Sequence, residues 1–336
     1  MKKRNRKWTV SIWTLFLLLL ILDTDTAKTS ASDGIEMCLK VIIPSLFPFF
    51  FVTFYLNVAL LGISIPGFSQ IARWVHFPAG GDSLLLLGLI GGYPVGAQLV
   101  AEACRKGNLR KDAGKILLGY CNNAGPAFIF GVTGMLFSSL KITIVLWLIH
   151  IFSSLLTGRL LPRPQQNNMA SVMTQNTTLI DTLKKSMYSC ATVCGWIIIC
   201  KIITGYFDKW LSGVIAAPFT VLLSGFLELS NGCLMLDKFP SESSRFILSS
   251  LFLAFGGFCV MLQTASVTKD LGLGLYIPGK IIQAAVSTLT AAFVSHILFH
   301  GTAWHLLIYL SVCVPVIILV KMYAENKCGN PNKNAV

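Results

Sequence analysis

The chain has 336 residues, of which 54% are hydrophobic and only 12% charged, and its formal net charge is +13. Soluble domains carry charge on about a quarter of their residues, so this composition excludes a water-soluble globular protein and predicts an all-α polytopic membrane protein whose surroundings are the lipid bilayer. The basic excess reads as a topology signal, because Lys and Arg beside membrane spans set orientation; no nucleic-acid partner is expected.

The first element is announced by "KKRNRK" at 2–7, ahead of the apolar run Trp8–Leu22. A signal peptide cleaved near "TSA" (29–31) is conceivable. Because membrane sequence continues after it, residues 1–31 are expected to be a retained N-terminal transmembrane anchor with a cytoplasmic amino terminus. Further apolar stretches cover 35–62, 83–103, 116–136, 140–160, 180–207, 211–236, 246–268, 273–300 and 302–320. If every stretch crossed, the basic loop "CRKGNLRKDAGK" (104–115) would face outward, against the positive-inside rule.

That conflict disappears if 83–103 is a re-entrant hairpin from the cytoplasmic side, with Gly and Pro of "GLIGGYPVGA" (88–97) making its turn. Treating 211–236 as a hairpin from the outside gives about eight transmembrane helices plus two re-entrant hairpins. Only Lys28, Lys141, Lys209, Lys238 and Arg245 then lie outside, with Lys40 and Lys201 inside spans; every other Lys and Arg counts as cytoplasmic, as does the carboxy terminus.

Two similar halves emerge. A first gate-like repeat (32–160) and a second (179–300) each hold a long helix, a hairpin, a Gly-interrupted span and a further span, in opposite orientation. A polar cytoplasmic linker, 161–178, joins them, and a final helix with a basic tail occupies 301–336. Inverted repeats with paired broken helices are a plan of secondary transporters.

Four stretches carry polar residues at membrane depth: "GGYPVGAQ" (91–98), "YCNNAGPAF" (120–128), "ELSNG" (228–232) and "AFGGFCVMLQ" (254–263). Broken backbone survives in lipid only against protein or a water-filled cavity, and helix N-terminal ends so exposed suit anions. Candidate substrate-binding or gating residues are therefore Gly91, Gly92, Tyr93, Pro94, Gln98, Asn122, Asn123, Gly125, Pro126, Ser230, Asn231, Gly232, Gly256, Gly257 and Gln263. Close helix packing is the competing role for any single glycine. Gln98 and Gln263 are expected to line one cavity.

Glu228 is the candidate ion-coupling residue, holding a proton or a cation, with bracing of the broken backbone as its alternative. Glu102, beside Arg105 and Lys106, is expected to form a solvated ion pair. His296 and His300 share a helix face, but no carboxylate or cysteine stands close by, so no metal is expected. No cofactor and no catalytic set can be assembled, and the protein is not expected to be an enzyme. The ten cysteines show no zinc or disulfide spacing and read as small buried hydrophobes.

"IIPSLFPFF" (42–50), "GGYPVGAQ", "CNNAGPAF" (121–128), "ELSNG" and "FGGFCVMLQ" (255–263), in that order, resemble the YlbJ family of sporulation integral membrane proteins, which carries a nucleoside-recognition or gate domain twice. The resemblance covers about 32–320. It implies a transporter of a small carboxylated molecule, with dipicolinic acid crossing the outer forespore membrane during sporulation as the leading case. Phe47, Phe49, Tyr93 and Phe128 are candidates to stack on its ring. A nucleoside or other small-solute carrier, and a non-transporting sporulation scaffold, are the alternatives. The sequence leaves the oligomeric state open.

Overall fold

The computed structural model describes residues 3–60, 63–166, 168–169, 178–211, 213–299 and 303–329. Much of the 161–178 linker, His300 and the tail from 330 onward lie outside the described residues. All regular elements among those described are helical. The chain begins with α1 (Lys3–Leu22), α2 (Thr24–Met37) and α3 (Ile43–Ala59). A π-helical turn at Cys38–Ile42 joins α2 to α3, so Thr24–Ala59 is one 36-residue rod. The expected long helix at 35–62 thus starts eleven residues earlier, because nothing between 24 and 37 interrupts the backbone hydrogen bonds.

Next come α4 (Phe68–Trp74), α5 (Asp82–Ile90), α6 (Val95–Arg105), α7 (Lys111–Cys121), α8 (Pro126–Gly131) and α9 (Leu140–Leu160). The second half contains α10 (Leu179–Leu211), α11 (Ala217–Leu227), α12 (Leu229–Leu234), α13 (Glu242–Phe255), α14 (Gly257–Val267), α15 (Tyr276–Leu298) and α16 (Ala303–Gly329). Among the described residues, 6 helices are long and apolar enough to cross a membrane: Thr24–Ala59, Leu140–Leu160, Leu179–Leu211, Glu242–Val267, Tyr276–Leu298 and Leu306–Cys328.

Both predicted hairpins are helix–turn–helix units. With 9 and 11 residues, α5 and α6 each reach only about half of a 30 Å hydrocarbon core. They turn at Gly91–Pro94, where Gly92 adopts φ +83° and the Tyr93–Pro94 peptide is cis, and then pack against each other. α11 and α12 do the same around Glu228. The 116–136 stretch is also divided: α7 stops at Cys121, residues 122–125 are extended, and α8 restarts at Pro126. Only both pieces in tandem could span a bilayer.

The packing repeats between the halves. The rod α2–α3 lies along α10; α3 touches α8 as α10 touches α14; α7 meets α15 as α13 meets α9. Glycines permit the closest crossings. A Cβ on Gly279 would lie 2.4 Å from the Gly119 carbonyl oxygen, and one on Gly232 would lie 2.1 Å from the Gly225 Cα. Tyr120, Tyr276, Phe50, Phe246 and Phe252 fill the centre and are fully buried. Along α1 and α16, Trp8, Leu15, Leu22, Leu307 and Leu319 face outward, the pattern expected of helices covered by lipid. All ten cysteines are free and most are buried.

Candidate functional site

Four interruptions, one from each hairpin and one from each broken helix pair, meet around a single cavity of about 30 Å³. Tyr93 comes from the first hairpin, Ala124 and Gly125 from the α7–α8 break, Glu228 and Ser230 from the second hairpin, and Gln263 from α14. Each break has a local cause. Gly256 and Gly257 hold φ +81° and +80° in succession, a left-handed pair that residues with a Cβ avoid. Gly125 sits so close to Gly92 that a Cβ on it would be 2.9 Å from the Gly92 Cα. The volume is that of about one water molecule, so the cavity as it stands is too small for a solute.

Directly behind it lies Lys280, fully buried on α15. Its ammonium donates to Tyr93 Oη at 3.0 Å, to Gln283 Oε1 at 2.7 Å and to the Asn122 carbonyl. An ammonium has three protons and no lone pair; here each proton has an acceptor, all of them neutral. No ion pair reaches Lys280 among the described residues. The network spreads from there. Tyr93 Oη donates to the Leu253 carbonyl at 3.0 Å, and Gln283 Nε2 donates to Asn123 Oδ1 at 2.8 Å. Asn122 Nδ2 donates to Thr264 Oγ1 at 3.0 Å. One cation therefore ties the first hairpin, the α7–α8 break and, through Tyr93, the end of α13.

Glu228, 2% exposed, caps α12. Its two oxygens accept from the Ser230 and Asn231 amides at 3.0 and 2.6 Å. Across from it, Lys201 donates to Asn231 Oδ1 at 2.5 Å. This geometry matches the bracing alternative. Replacing Glu228 by Ala is expected to cost about 1 kcal/mol as a lost N-cap, whereas Glu228→Gln, which keeps one acceptor, should cost less; thermal unfolding in detergent checks both.

Glu102 does more than form a solvated pair. It bridges Lys106, at 3.0 Å, and Lys185 on α10, and so ties the first hairpin to the second long helix. The charge-reversing Glu102→Lys should lower the unfolding midpoint more than Lys106→Ala, because only the former sets three cations together.

The structure brings together most of the residues expected at the site. Tyr93, Gly125, Ser230, Gln263 and Glu228 line the cavity. Gly91, Gly92, Pro94, Pro126, Asn231, Gly232, Gly256 and Gly257 shape the breaks behind it. Asn122 and Asn123 are fully buried, with their amide donors already used on Thr264, Tyr276, Tyr120 and Gly88. Gln98 does not share the cavity with Gln263; it points to α10 and accepts from Ser189 at 3.0 Å. Phe49, 39% exposed, lies on the outer surface of the helix, away from the cavity that Phe128 lines.

The sequence pattern assigns Lys280 to the cytoplasmic charge because it falls near the start of an apolar stretch. The overlooked signal is Gln283 and Ser287, three and seven residues on, which share its helix face.

Among proteins of known sequence, the chain is 23% identical to the sporulation integral membrane protein YlbJ of Bacillus subtilis (strain 168), over 88% of this chain and 84% of that protein. No family model and no solved structure matches. The relative's membrane character agrees with the long apolar helices found here, and four of the five motifs singled out in the sequence fall at the four breaks, the fifth lying at the start of α3. The chain is a polytopic integral membrane protein related to the YlbJ family.

Proposed function

We propose that the protein is a carrier for a small carboxylated molecule, acting in sporulation as the name of its relative suggests, with dipicolinic acid as the first candidate. The observation that carries this reading is the buried Lys280 behind a cavity built from all four helix breaks. A cation at membrane depth is expensive and marks a pathway or site. Dipicolinate presents carboxylates to it and a flat ring to Tyr93 and Phe128. The matched packing of the two halves supports an inverted repeat, in which the hairpins move to widen the narrow cavity alternately toward each side. Catalysis is not part of the proposal.

Purified protein in liposomes should take up dipicolinate above empty vesicles, and an excess of uridine should not compete. Uptake at background by folded protein would remove the carrier reading and leave a scaffold; competition by uridine would shift it to nucleosides. Cysteine accessibility adds a topological check. Labels placed at the exposed positions 80 and 105 should react from one side of the membrane, and labels at 214 and 238 from the other.

A further inference from the structure

On α9, His150 is 1% exposed, and its Nε2 accepts from the backbone amide of Ala124 at 3.1 Å. Ala124 belongs to the α7–α8 break and lines the cavity. A ring nitrogen that accepts from an amide carries no proton, so the imidazole is the neutral Nδ1–H form. That Nδ1–H has no partner among the described residues, which is uncommon for so deeply buried a polar group. The ring is thus locked to the break on one side and unsatisfied on the other.

The electrical surroundings are simple. Lys280 on α15 grips the same break from the other side, donating to the Asn122 carbonyl two residues from the amide that His150 holds. Tyr120 and Cys121 on α7 and Tyr276 on α15 are the other titratable side chains at this depth; α8 contributes none, and the charged residues of α13, Glu242 and Arg245, lie in its first turn. No carboxylate faces His150 from these elements. Burial of the ring is the first thing that opposes a positive charge there and the charge on Lys280 adds to it; an anion bound at Lys280 cancels the second and supplies a counter-charge against the first.

We propose that His150 is the coupling-proton site of the carrier. Arrival of a carboxylate at Lys280 allows His150 Nε2 to take one proton from water. The imidazolium then presents N–H at both nitrogens, so the Ala124 amide loses its acceptor and the 122–125 break is released. Departure of the anion returns the proton. Anion and proton therefore bind with mutual enhancement, each raising the other's affinity by the same factor. His150 acts as a positioning residue for the break, and this inference rests on the carrier reading given above.

The test is dipicolinate binding to purified protein by calorimetry between pH 8 and pH 5.5, where the probe's carboxyl groups stay ionised. Wild type should gain affinity by up to about tenfold per unit fall in pH and take up about one proton per solute. His150→Gln offers an amide oxygen to Ala124 but cannot titrate, and should show a flat pH profile with no proton uptake. A pH profile and proton count in His150→Gln equal to those of wild type would overturn the proposal, as would solute binding by wild type without proton uptake. If wild type binds no dipicolinate, the carrier reading falls. The latch is then judged in Lys280→Met, which removes the opposing charge, by hydrogen-exchange protection of 122–126, corrected for intrinsic rates. Protection lost on acidification in Lys280→Met but not in the double variant Lys280→Met with His150→Gln sustains it; identical behaviour refutes it.

Discussion

Replacing Lys280 by Met is expected to reduce dipicolinate uptake roughly 100-fold or more while leaving the protein folded. The size follows from removing one member of a buried charge pair, worth about 2–5 kcal/mol in binding, of which about 2.7 corresponds to a factor of 100. Stability should change far less, because two effects oppose each other. Taking a buried ammonium away recovers several kcal/mol of desolvation. Its three acceptors lose a donor; Tyr93 still bonds Leu253 through its own proton, while the Asn122 carbonyl and Gln283 Oε1 are left without the donor that Lys280 supplied. Two orphaned acceptors cost about 1–3 kcal/mol each, which offsets most of the recovered desolvation, and the net shift should stay within about 2 kcal/mol. Lys280→Arg keeps the charge but adds volume at a fully buried position, and should be the less stable variant. Uptake by Lys280→Met equal to wild type would reduce Lys280 to a structural role.

Gly96→Ala should have the largest effect on folding. A Cβ there would lie 1.7 Å from the Cys121 carbonyl oxygen and 3.0 Å from the Asn122 Cα, all backbone that no rotamer can move. The first hairpin must separate from the end of α7, and the expected loss is about 3 kcal/mol or more. The damage also displaces Asn122, and with it an acceptor of Lys280. Gly195→Ala is the matching control: it lies within α10 and meets nothing within 4 Å, so it should be neutral or stabilising by up to about 1 kcal/mol. Unfolding of both variants in mixed micelles settles the comparison; equal midpoints would mean that the α6–α7 contact is looser than described.

These two residues show which glycines serve contact and which serve the chain path. Gly96 and Gly279 allow helices to touch, whereas Gly92, Gly256 and Gly257 supply backbone conformations that a side chain resists. In the string "GLIGGYPVGA" the two roles stand four residues apart, and nothing in the local pattern separates them. Contact is a property of the partner, here Cys121, which is 25 positions away.

The sequence by itself determined the membrane class, the long helices and the places where they break. Those follow from local physics: apolar runs of spanning length, and Gly, Pro and Asn where a helix cannot continue. It also placed Glu228 correctly at a break, since a carboxylate among apolar residues has few reasons to be there. Only the tertiary structure decided that the four breaks meet, that Gln98 turns away to Ser189 while Gln263 faces the cavity, and that Lys280 is the cation at the centre. A lysine near the end of an apolar stretch can reach the interface or turn inward, and the choice depends on whether enough acceptors await it inside. Tyr93, Asn122 and Gln283 provide them, two from segments more than 150 residues away, and that pairing is written in the packing of the helices rather than in the order of the chain.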